Sequence, residues 1–240
     1  MLPTREQLLT ALVVTLAFTA LAWRMRGVDR SGAWAGGIIC FLLLAAAGPG
    51  AFAALVTVFL LAWASTHAGY RRKQAHGTAE SKTGRSAFQV LANLGVATAC
   101  AVLYLACSSG YWKVIFLSAM TAAFAEAAAD TVSSELGRIQ DYALLITTWK
   151  KVPSGTDGGI SLTGTSAGIC TAILVCAVCF TVGLVSWRNA EIALLAASMG
   201  MFADSFLGAW LESRRWLNND GVNFLSTLIA ACLAILFASF

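Results

Sequence analysis

Charged residues are scarce in this sequence: they make up 12% of 240 residues, against about 25% in typical soluble domains. Hydrophobic residues make up 58%, and the mean hydropathy is +0.74. This composition argues against a water-soluble enzyme, a disordered tail and a basic domain that binds nucleic acid. It predicts a single all-α domain over residues 1–240, a polytopic bundle of transmembrane helices.

The cysteines of this sequence do not form a disulfide framework in their number or spacing. The seven cysteines lie within or beside apolar stretches, and their odd number and irregular spacing do not fit a secreted scaffold. Cys176 and Cys179 form a C-x-x-C, but the surrounding run is apolar, so both are interpreted as small apolar helix residues.

Long apolar runs are abundant. Since a membrane-spanning helix needs about 20 mostly apolar residues, the sequence predicts eight spans. They lie near 7–23, 31–47, 51–69, 87–107, 113–133, 162–185, 190–211 and 222–240. Gly48, Pro49 and Gly50 separate the second span from the third, which predicts a tight turn and an antiparallel hairpin.

The basic residues predict an orientation for this bundle. Thirteen of the sixteen Lys and Arg residues fall on one side of the eight spans. The positive-inside rule makes that side cytoplasmic and puts both termini on the other side. In a bacterium the membrane would be the inner, or plasma, membrane. The predicted cytoplasmic loops lie near 24–30, 70–86, 134–161 and 212–221.

Acidic residues inside apolar runs are functional candidates, because ionisable groups are costly in hydrocarbon. Glu126 and Asp130 are four residues apart, so they share a helix face, and Asp204 lies about as deep as Glu126. Glu135 and Asp220 stand at the cytoplasmic edge. Clustered carboxylates suit Mg²⁺, which in turn holds substrate phosphates. The alternative is that some of these acids only pair with nearby arginines.

The loop 150–163 has the composition of a phosphate-binding loop. It begins with Lys150 and Lys151, contains three glycines, and leads into a helix near Ser161. Backbone N–H groups, a helix N-terminus and lysine charges together favour a bound phosphate. The spacing is not that of a P-loop. The alternative is a flexible turn with a serine N-cap.

A second polar segment leads into the fourth span. Lys82 and Arg85 precede it, and Gln89 and Asn93 share one face of its helix. These two amides either line a polar cavity or fix helix packing.

Five segments in order resemble one integral membrane family: 84–95, 129–137, 152–165, 204–209 and 218–227. That family, domain of unknown function 92, includes transmembrane protein 19 and the plant and cyanobacterial phytyl-phosphate kinases. The resemblance covers roughly residues 30–240. It implies a kinase that transfers a phosphoryl group from CTP or a related nucleoside triphosphate to an isoprenoid monophosphate. In the plant members this reaction feeds tocopherol or phylloquinone synthesis.

The residues and the resemblance together predict a set of roles around a prenyl phosphate in the membrane, with Mg²⁺ as cofactor. Metal ligation is assigned to Asp130, Glu135 and Asp204, and the catalytic set adds Asp220 and Lys151. The donor nucleotide is assigned to Lys150, Ser154, Gly155, Thr156, Asp157, Gly158, Gly159, Ser161 and Thr163. The acceptor lipid is assigned to Lys82, Arg85, Gln89, Asn93, Asn219 and Asn223.

Two other functions stay open at this stage. One is a CTP-dependent cytidylyltransferase that makes a CDP-lipid and releases pyrophosphate. The other is a transporter or lipid flippase, with Glu126 and Asp204 as an ion or proton relay within the membrane. The lipid chain length, the nucleotide and the oligomeric state are not fixed by the sequence.

Overall fold

The structure is a computed structural model that describes residues 3–80 and 83–240. Over those residues, seven helices are long and apolar enough to cross a membrane. They are α1 (Arg5–Arg24), α2 (Arg30–His67), α4 (Ala87–Ala106), α5 (Gly110–Gly137), α6 (Leu162–Thr181), α7 (Trp187–Leu207) and α8 (Asn219–Ala238). A short helix, α3 (Tyr70–Ala75), follows α2, and a π-helical turn, Gly208–Glu212, extends α7. The predicted polytopic helical bundle is confirmed.

Helix α2 is broken at Gly48, which divides it into two halves, 30–47 and 49–67. Gly48 has φ 76° and ψ −163°, and Pro49 follows it. The second half returns to where the first begins: the Trp63 Nε1 donates to the Met25 carbonyl at 3.1 Å. The predicted hairpin is therefore present, and its two halves with the other six long helices correspond to the eight predicted spans.

Helix α5 lies at the centre of the bundle and packs against α2, α4, α6, α7 and α8. It is the most buried of the long helices, whereas α1 is the least. The stretch 119–129 of α5 consists mostly of alanine, and small side chains let neighbouring helices approach closely. The central helix therefore carries Glu126 and Asp130 into the interior rather than towards lipid.

The loops rich in Lys and Arg meet at one end of the bundle, which we call the basic end. Gly84 packs against the backbone of Val28, Gly155 against Thr78, and Gly158 against Ala209. Helix N-caps mark this end too, since Ser86 and Gln89 form a capping box at the start of α4. The orientation of the basic end towards the cytoplasm stays a prediction.

A small sheet, which the sequence did not predict, forms in the loop between α5 and α6. Its antiparallel strands are β1 (Tyr142–Leu145), β2 (Lys151–Pro153) and β3 (Gly159–Ile160), in the order β2-β1-β3. Strands of two to four residues are too short to show an alternating pattern in sequence.

Candidate functional site

A polar cavity of about 50 Å³ opens at the basic end, between α4, α5 and α8. It brings together seven residues that the sequence assigned to a site. The described residues that line it are Glu80, Arg85, Gln89, Asn93, Asp130, Thr131, Ser134, Glu135, Arg138, Asn219 and Asn223. Gln89 and Asn93 were predicted either to line a polar cavity or to fix helix packing. The geometry supports the first alternative.

Backbone contacts position Arg85 at this cavity. Its N–H donates to the Gly27 carbonyl at 3.1 Å, and its carbonyl accepts from Asp29 N at 3.0 Å. Two glycines permit this approach. A Cβ on Gly32 would lie 2.1 Å from the Arg85 carbonyl oxygen, and Gly84 has φ +89°. The segment between α1 and α2 therefore fixes Arg85 without using its side chain.

The Arg85 guanidinium faces carboxylates without pairing closely with any of them. Its Nη1 lies 3.5 Å from Thr131 Oγ1, and no ion pair within 4.0 Å involves it across the described ranges 3–80 and 83–240. Burial lowers the pKa of Arg85, while the negative charges of Glu80, Glu135 and Asp130 oppose that shift. An arginine remains charged under such a shift, so it offers a cation to an anionic ligand.

Asp130 and Asp204 meet beside this cavity. The two residues lie on α5 and α7, and their carboxyl groups are close enough to interact electrostatically. The Ser226 hydroxyl of α8 donates to Asp204 Oδ2 at 2.9 Å. Two ionised carboxylates this close repel each other, and a divalent cation would relieve that repulsion.

Glu126 lies one helical turn deeper on α5 and is fully buried. Neither of its carboxylate oxygens has a hydrogen-bond partner within the described residues. The acceptors closest to the Ser226 hydroxyl are Asp204 Oδ2 at 2.9 Å and the Asn223 carbonyl oxygen at 3.0 Å. Gly200 of α7 packs directly on the Glu126 side chain.

Glu135 forms a buried ion pair that the sequence did not reveal. Its carboxylate contacts Lys73 Nζ of α3, and both side chains are almost completely buried. Lys73 also donates to the carbonyls of Ser65 and Thr66, at 2.9 and 2.7 Å, near the end of α2. Arg138 Nη1 lies 3.5 Å from Glu135 Oε1. Two cations therefore already occupy the carboxylate that was predicted as a third metal ligand.

The rim of the cavity is ordered by further hydrogen bonds. Gln89 Nε2 donates to Glu80 Oε1 at 2.8 Å, and Asn93 Nδ2 donates to the Gln89 carbonyl at 2.8 Å. Glu80 Oε2 lies 4.0 Å from Arg138 Nη1. Asn219 and Asn223 complete the opposite wall from α8.

The 150–163 loop lies beside the polar cavity, and none of its residues is among the described residues that line it. The Ser154 hydroxyl donates to the Gly137 carbonyl at the end of α5, and Gly158 packs against Ala209 after α7. The loop is thus attached to the two helices that carry Asp130 and Asp204. Among the residues of this loop that were assigned to a site, the exposed ones are Lys150, Lys151, Gly155, Thr156, Asp157 and Thr163.

Several hydroxyl and lysine groups of this loop already have partners. Thr156 Oγ1 donates to the Pro153 carbonyl at 2.7 Å, and Ser161 caps α6 by accepting from Gly164 N at 3.0 Å. Lys151 Nζ lies 4.4 Å from the centre of the Tyr142 ring. Asp220 stands in the first turn of α8, and Lys82 lies outside the described residues.

A larger apolar cavity of about 290 Å³ adjoins the polar one. Its walls come from α1, from both halves of α2 and from α4. The two cavities share Glu80, Arg85, Gln89 and Asn93.

The metal assignment rests on a pair of acids rather than a cluster. In the part of the chain that the structure describes, no group of three His, Cys, Asp or Glu side chains is arranged to hold an ion. Mg²⁺ is nevertheless often held by one or two carboxylates together with substrate phosphates. Asp130 and Asp204 fit that chemistry.

Four lining residues were not assigned to the site from sequence: Glu80, Thr131, Ser134 and Arg138. Thr131 and Ser134 lie one and four residues after Asp130, so the helical repeat was a signal that could have found Ser134. The contact between Lys73 and Glu135 joins residues far apart in the chain, and no local pattern predicts it.

Comparison with known proteins identifies the family. The family described as integral membrane protein DUF92 matches residues 13–231. The chain belongs to this family. No solved structure matches this DUF92 chain.

Curated relatives of this DUF92 protein come from all three domains of life. An uncharacterised membrane protein of Methanocaldococcus jannaschii is 32% identical over 242 residues, which cover 97% of this chain and 96% of the relative. One from Synechocystis is 30% identical over 205 residues, 85% of this chain and 78% of the relative. The chloroplastic protein VTE6 of Arabidopsis thaliana is 30% identical over 220 residues, 89% of this chain and 66% of VTE6.

Proposed function

We propose that this DUF92 protein is a membrane phosphotransferase that converts an isoprenoid monophosphate to its diphosphate, with CTP or a related nucleoside triphosphate as donor. One observation carries the proposal: Arg85 lines a polar cavity beside the acidic pair Asp130 and Asp204, inside a membrane protein. A cation next to paired carboxylates suits a phosphate bridged by Mg²⁺. The similarity to VTE6 and the family resemblance support the lipid substrate.

The acceptor phosphate would lie against Arg85. A guanidinium binds two phosphate oxygens at once, and Arg85 has no close carboxylate competitor among the described residues. The amides of Gln89, Asn93, Asn219 and Asn223 line the same cavity and supply further donors. Lys82 completes this set on sequence grounds.

Asp130 and Asp204 would hold Mg²⁺, which supplies a positive charge that neutralises the phosphates brought together in the reaction. Ser226 fixes the Asp204 carboxylate through its hydrogen bond. Glu135, paired with Lys73 and Arg138, keeps Arg138 facing the cavity. Asp220, at the start of α8, is the remaining acid assigned to catalysis.

The donor triphosphate would lie over the exposed 150–163 loop. Lys150 and Lys151 offer two positive charges there, and the loop is accessible to a water-soluble nucleotide. The attachment of Ser154 to α5 and of Gly158 to the turn after α7 holds the loop close to Asp130 and Asp204.

The transfer step needs no general base. An oxygen of the lipid phosphate, already an anion, forms a bond to the γ-phosphorus of the nucleotide. The bond from that phosphorus to the β–γ bridging oxygen breaks, and the electron pair leaves with the nucleoside diphosphate. Catalysis then rests on the positioning of both phosphates and on charge stabilisation.

The proposal is tested with purified protein in lipid nanodiscs, with phytyl or geranylgeranyl phosphate, CTP, ATP or UTP labelled on the γ-phosphate, and Mg²⁺. We expect a labelled prenyl diphosphate that is lost when Mg²⁺ is removed. A CDP-lipid with release of pyrophosphate would show a cytidylyltransferase instead. No transfer to any prenyl phosphate would contradict the proposal.

Acid-to-amide variants sharpen this test. We expect Asp130→Asn and Asp204→Asn to lower kcat about 100-fold or more, the scale of losing one electrostatic stabiliser of the transition state. Asp141→Asn is the matched control, because the Asp141 side chain is 89% exposed and is absent from the cavity lining. Its activity should match the wild type.

A second candidate, a transporter, is favoured by the buried and unpartnered Glu126. Uptake of a phosphate-bearing solute into proteoliposomes that is lost with Glu126→Gln, while Lys151→Ala retains it, would support transport. Phosphoryl transfer that persists in Glu126→Gln would argue for the kinase.

A further inference from the structure

We propose that the apolar cavity binds the hydrocarbon chain of the acceptor lipid inside the protein, so that one single-chain isoprenoid phosphate occupies both cavities. The identity of the headgroup rests on the function proposed above. The location of the chain rests on geometry that is independent of catalysis.

The first support is a gradient of polarity along the apolar cavity. At the basic end its walls carry Arg85 and Gln89, which it shares with the polar cavity. Towards the middle of the bundle its walls are formed by apolar side chains, including Phe18 of α1, Phe59 of α2 and Leu94 of α4. A molecule with one anionic end and an apolar body matches this order of charge and hydrocarbon.

The second support is the size of the cavity and the shape of one wall. About 290 Å³ lies at the low end of ligand pockets, ~300–1,000 Å³, which suits one chain better than the two chains of a phospholipid. Gly32, Ala33 and Gly36 form a wall with no side chain larger than a methyl group. That wall leaves width for the methyl branches of an isoprenoid.

The third support is the position of α1. This helix forms the outer wall through Phe18, Thr19 and Ala22, and α2 is its one extensive helix partner within the described residues. A chain in the cavity would therefore have α1 on its outer side and the rest of the bundle on its inner side.

Gly36→Leu tests the location by filling the cavity. A Cβ at Gly36 would meet only Val90, at 4.0 Å, so the added side chain has room to enter the cavity without a backbone clash. Gly95→Leu is the matched control: Gly95 is also helical, its Cβ would meet nothing within 4 Å, and it does not line the cavity.

The kinetic measurement compares geranylgeranyl phosphate with dimethylallyl phosphate. We expect Gly36→Leu to raise the KM for the C20 substrate at least about tenfold, because a few methylene contacts are lost, and to leave the C5 substrate nearly unchanged. Gly95→Leu should change neither value. Equal effects of Gly36→Leu on both substrates, or none on the C20 substrate, would overturn the proposal.

Photo-crosslinking gives a readout that does not depend on transfer. Geranylgeranyl phosphate with a diazirine at its far end should label peptides of α1 and the 49–67 half of α2 in the wild type and lose that labelling in Gly36→Leu. Labelling on outward residues such as Leu16 or Leu60, or labelling unaffected by Gly36→Leu, would place the chain in the bilayer and overturn the proposal. Labelling of α1 and the 49–67 half of α2 by a protein that transfers no phosphoryl group would refute the kinase and support the lipid-binding cavity.

A straight-chain and a two-chain probe separate the other occupants. Hexadecyl phosphate and phosphatidic acid should compete poorly with the crosslinking probe, since the cavity is assigned to one branched chain. Equal or better competition by either lipid would overturn the assignment to an isoprenoid.

Discussion

Arg85 is held by its backbone, and this leaves its guanidinium for a ligand. We expect Arg85→Gln to lower kcat/KM for the lipid phosphate about 100-fold or more, because a stabilising cation is lost. The kcat/KM of Arg85→Lys should lie between those of Arg85→Gln and the wild type, since a lysine keeps the charge and loses the bidentate contact with phosphate. Steady-state kinetics with varied lipid phosphate at a fixed nucleotide concentration measure kcat/KM for both variants.

Arg72→Gln is the control for Arg85, because Arg72 is exposed on α3 and lines neither cavity. Its activity should match the wild type. A loss in Arg72→Gln as large as in Arg85→Gln would mean that the overall positive charge, not Arg85, binds the lipid.

Lys73 and Glu135 form the buried ion pair that joins α3 to α5. We expect Lys73→Met to destabilise the protein by about 3–5 kcal/mol, because Glu135 is then buried without its partner. Thermal unfolding in detergent measures this change. The double variant Lys73→Met with Glu135→Gln should recover much of the loss, and strictly additive effects would contradict the coupling.

The contact between Arg85 and the start of α2 depends on one glycine. Gly32→Ala would place a Cβ 2.1 Å from the Arg85 carbonyl, so we expect a loss of about 1–3 kcal/mol in stability and a displaced Arg85 with a higher KM for the lipid. Gly36→Ala, one turn further along α2, should be neutral or slightly stabilising. Equal behaviour of the two variants would contradict this role of Gly32.

The α2 hairpin depends on the backbone conformation of Gly48. We expect Gly48→Ala to cost about 1–3 kcal/mol, because φ 76° with ψ −163° is strained for any residue with a Cβ, even though the space around it is empty. Gly95→Ala is the control, since its Cβ also meets nothing and its backbone is helical. If both variants unfold at the same temperature, the turn does not need glycine.

Among the helices and strands, the sequence predicted those whose position depends on hydropathy or on turn residues. Runs of apolar residues located the long helices, and Gly48 with Pro49 located the hairpin. The sheet at 142–160 was not predicted, because its stability comes from pairing between short strands and from packing of Gly158 on Ala209. The helix α3 was missed for a similar reason, since six residues carry no clear period.

Across the whole molecule, the loops that hold most of the positive charge meet at the end where both cavities open. The positive-inside rule predicts that this end faces the cytoplasm. In a variant with the seven cysteines replaced, an impermeant maleimide should label Arg188→Cys in intact cells and Thr156→Cys only after permeabilisation. The reverse pattern would invert the predicted orientation and move the nucleotide site outside the cell.

The sequence predicted many of the residues that line the polar cavity, but few of the contacts that they make. Arg85, Gln89, Asn93, Asp130 and Asn223 were found because polar groups in an apolar sequence stand out. Some charged partners of the cavity residues come from distant parts of the chain: Lys73, for example, pairs with Glu135. Such contacts follow from three-dimensional packing, which local spacing does not encode.

The most direct test of the central claim is a cryo-electron-microscopy structure in nanodiscs with geranylgeranyl phosphate, a non-hydrolysable CTP analogue and Mg²⁺. We predict the lipid phosphate within hydrogen-bonding distance of the Arg85 guanidinium, about 2.7–3.2 Å, with its chain in the apolar cavity. The triphosphate should lie over the 150–163 loop. Lipid phosphate density away from the polar cavity, or nucleotide bound elsewhere on the protein, would contradict the account.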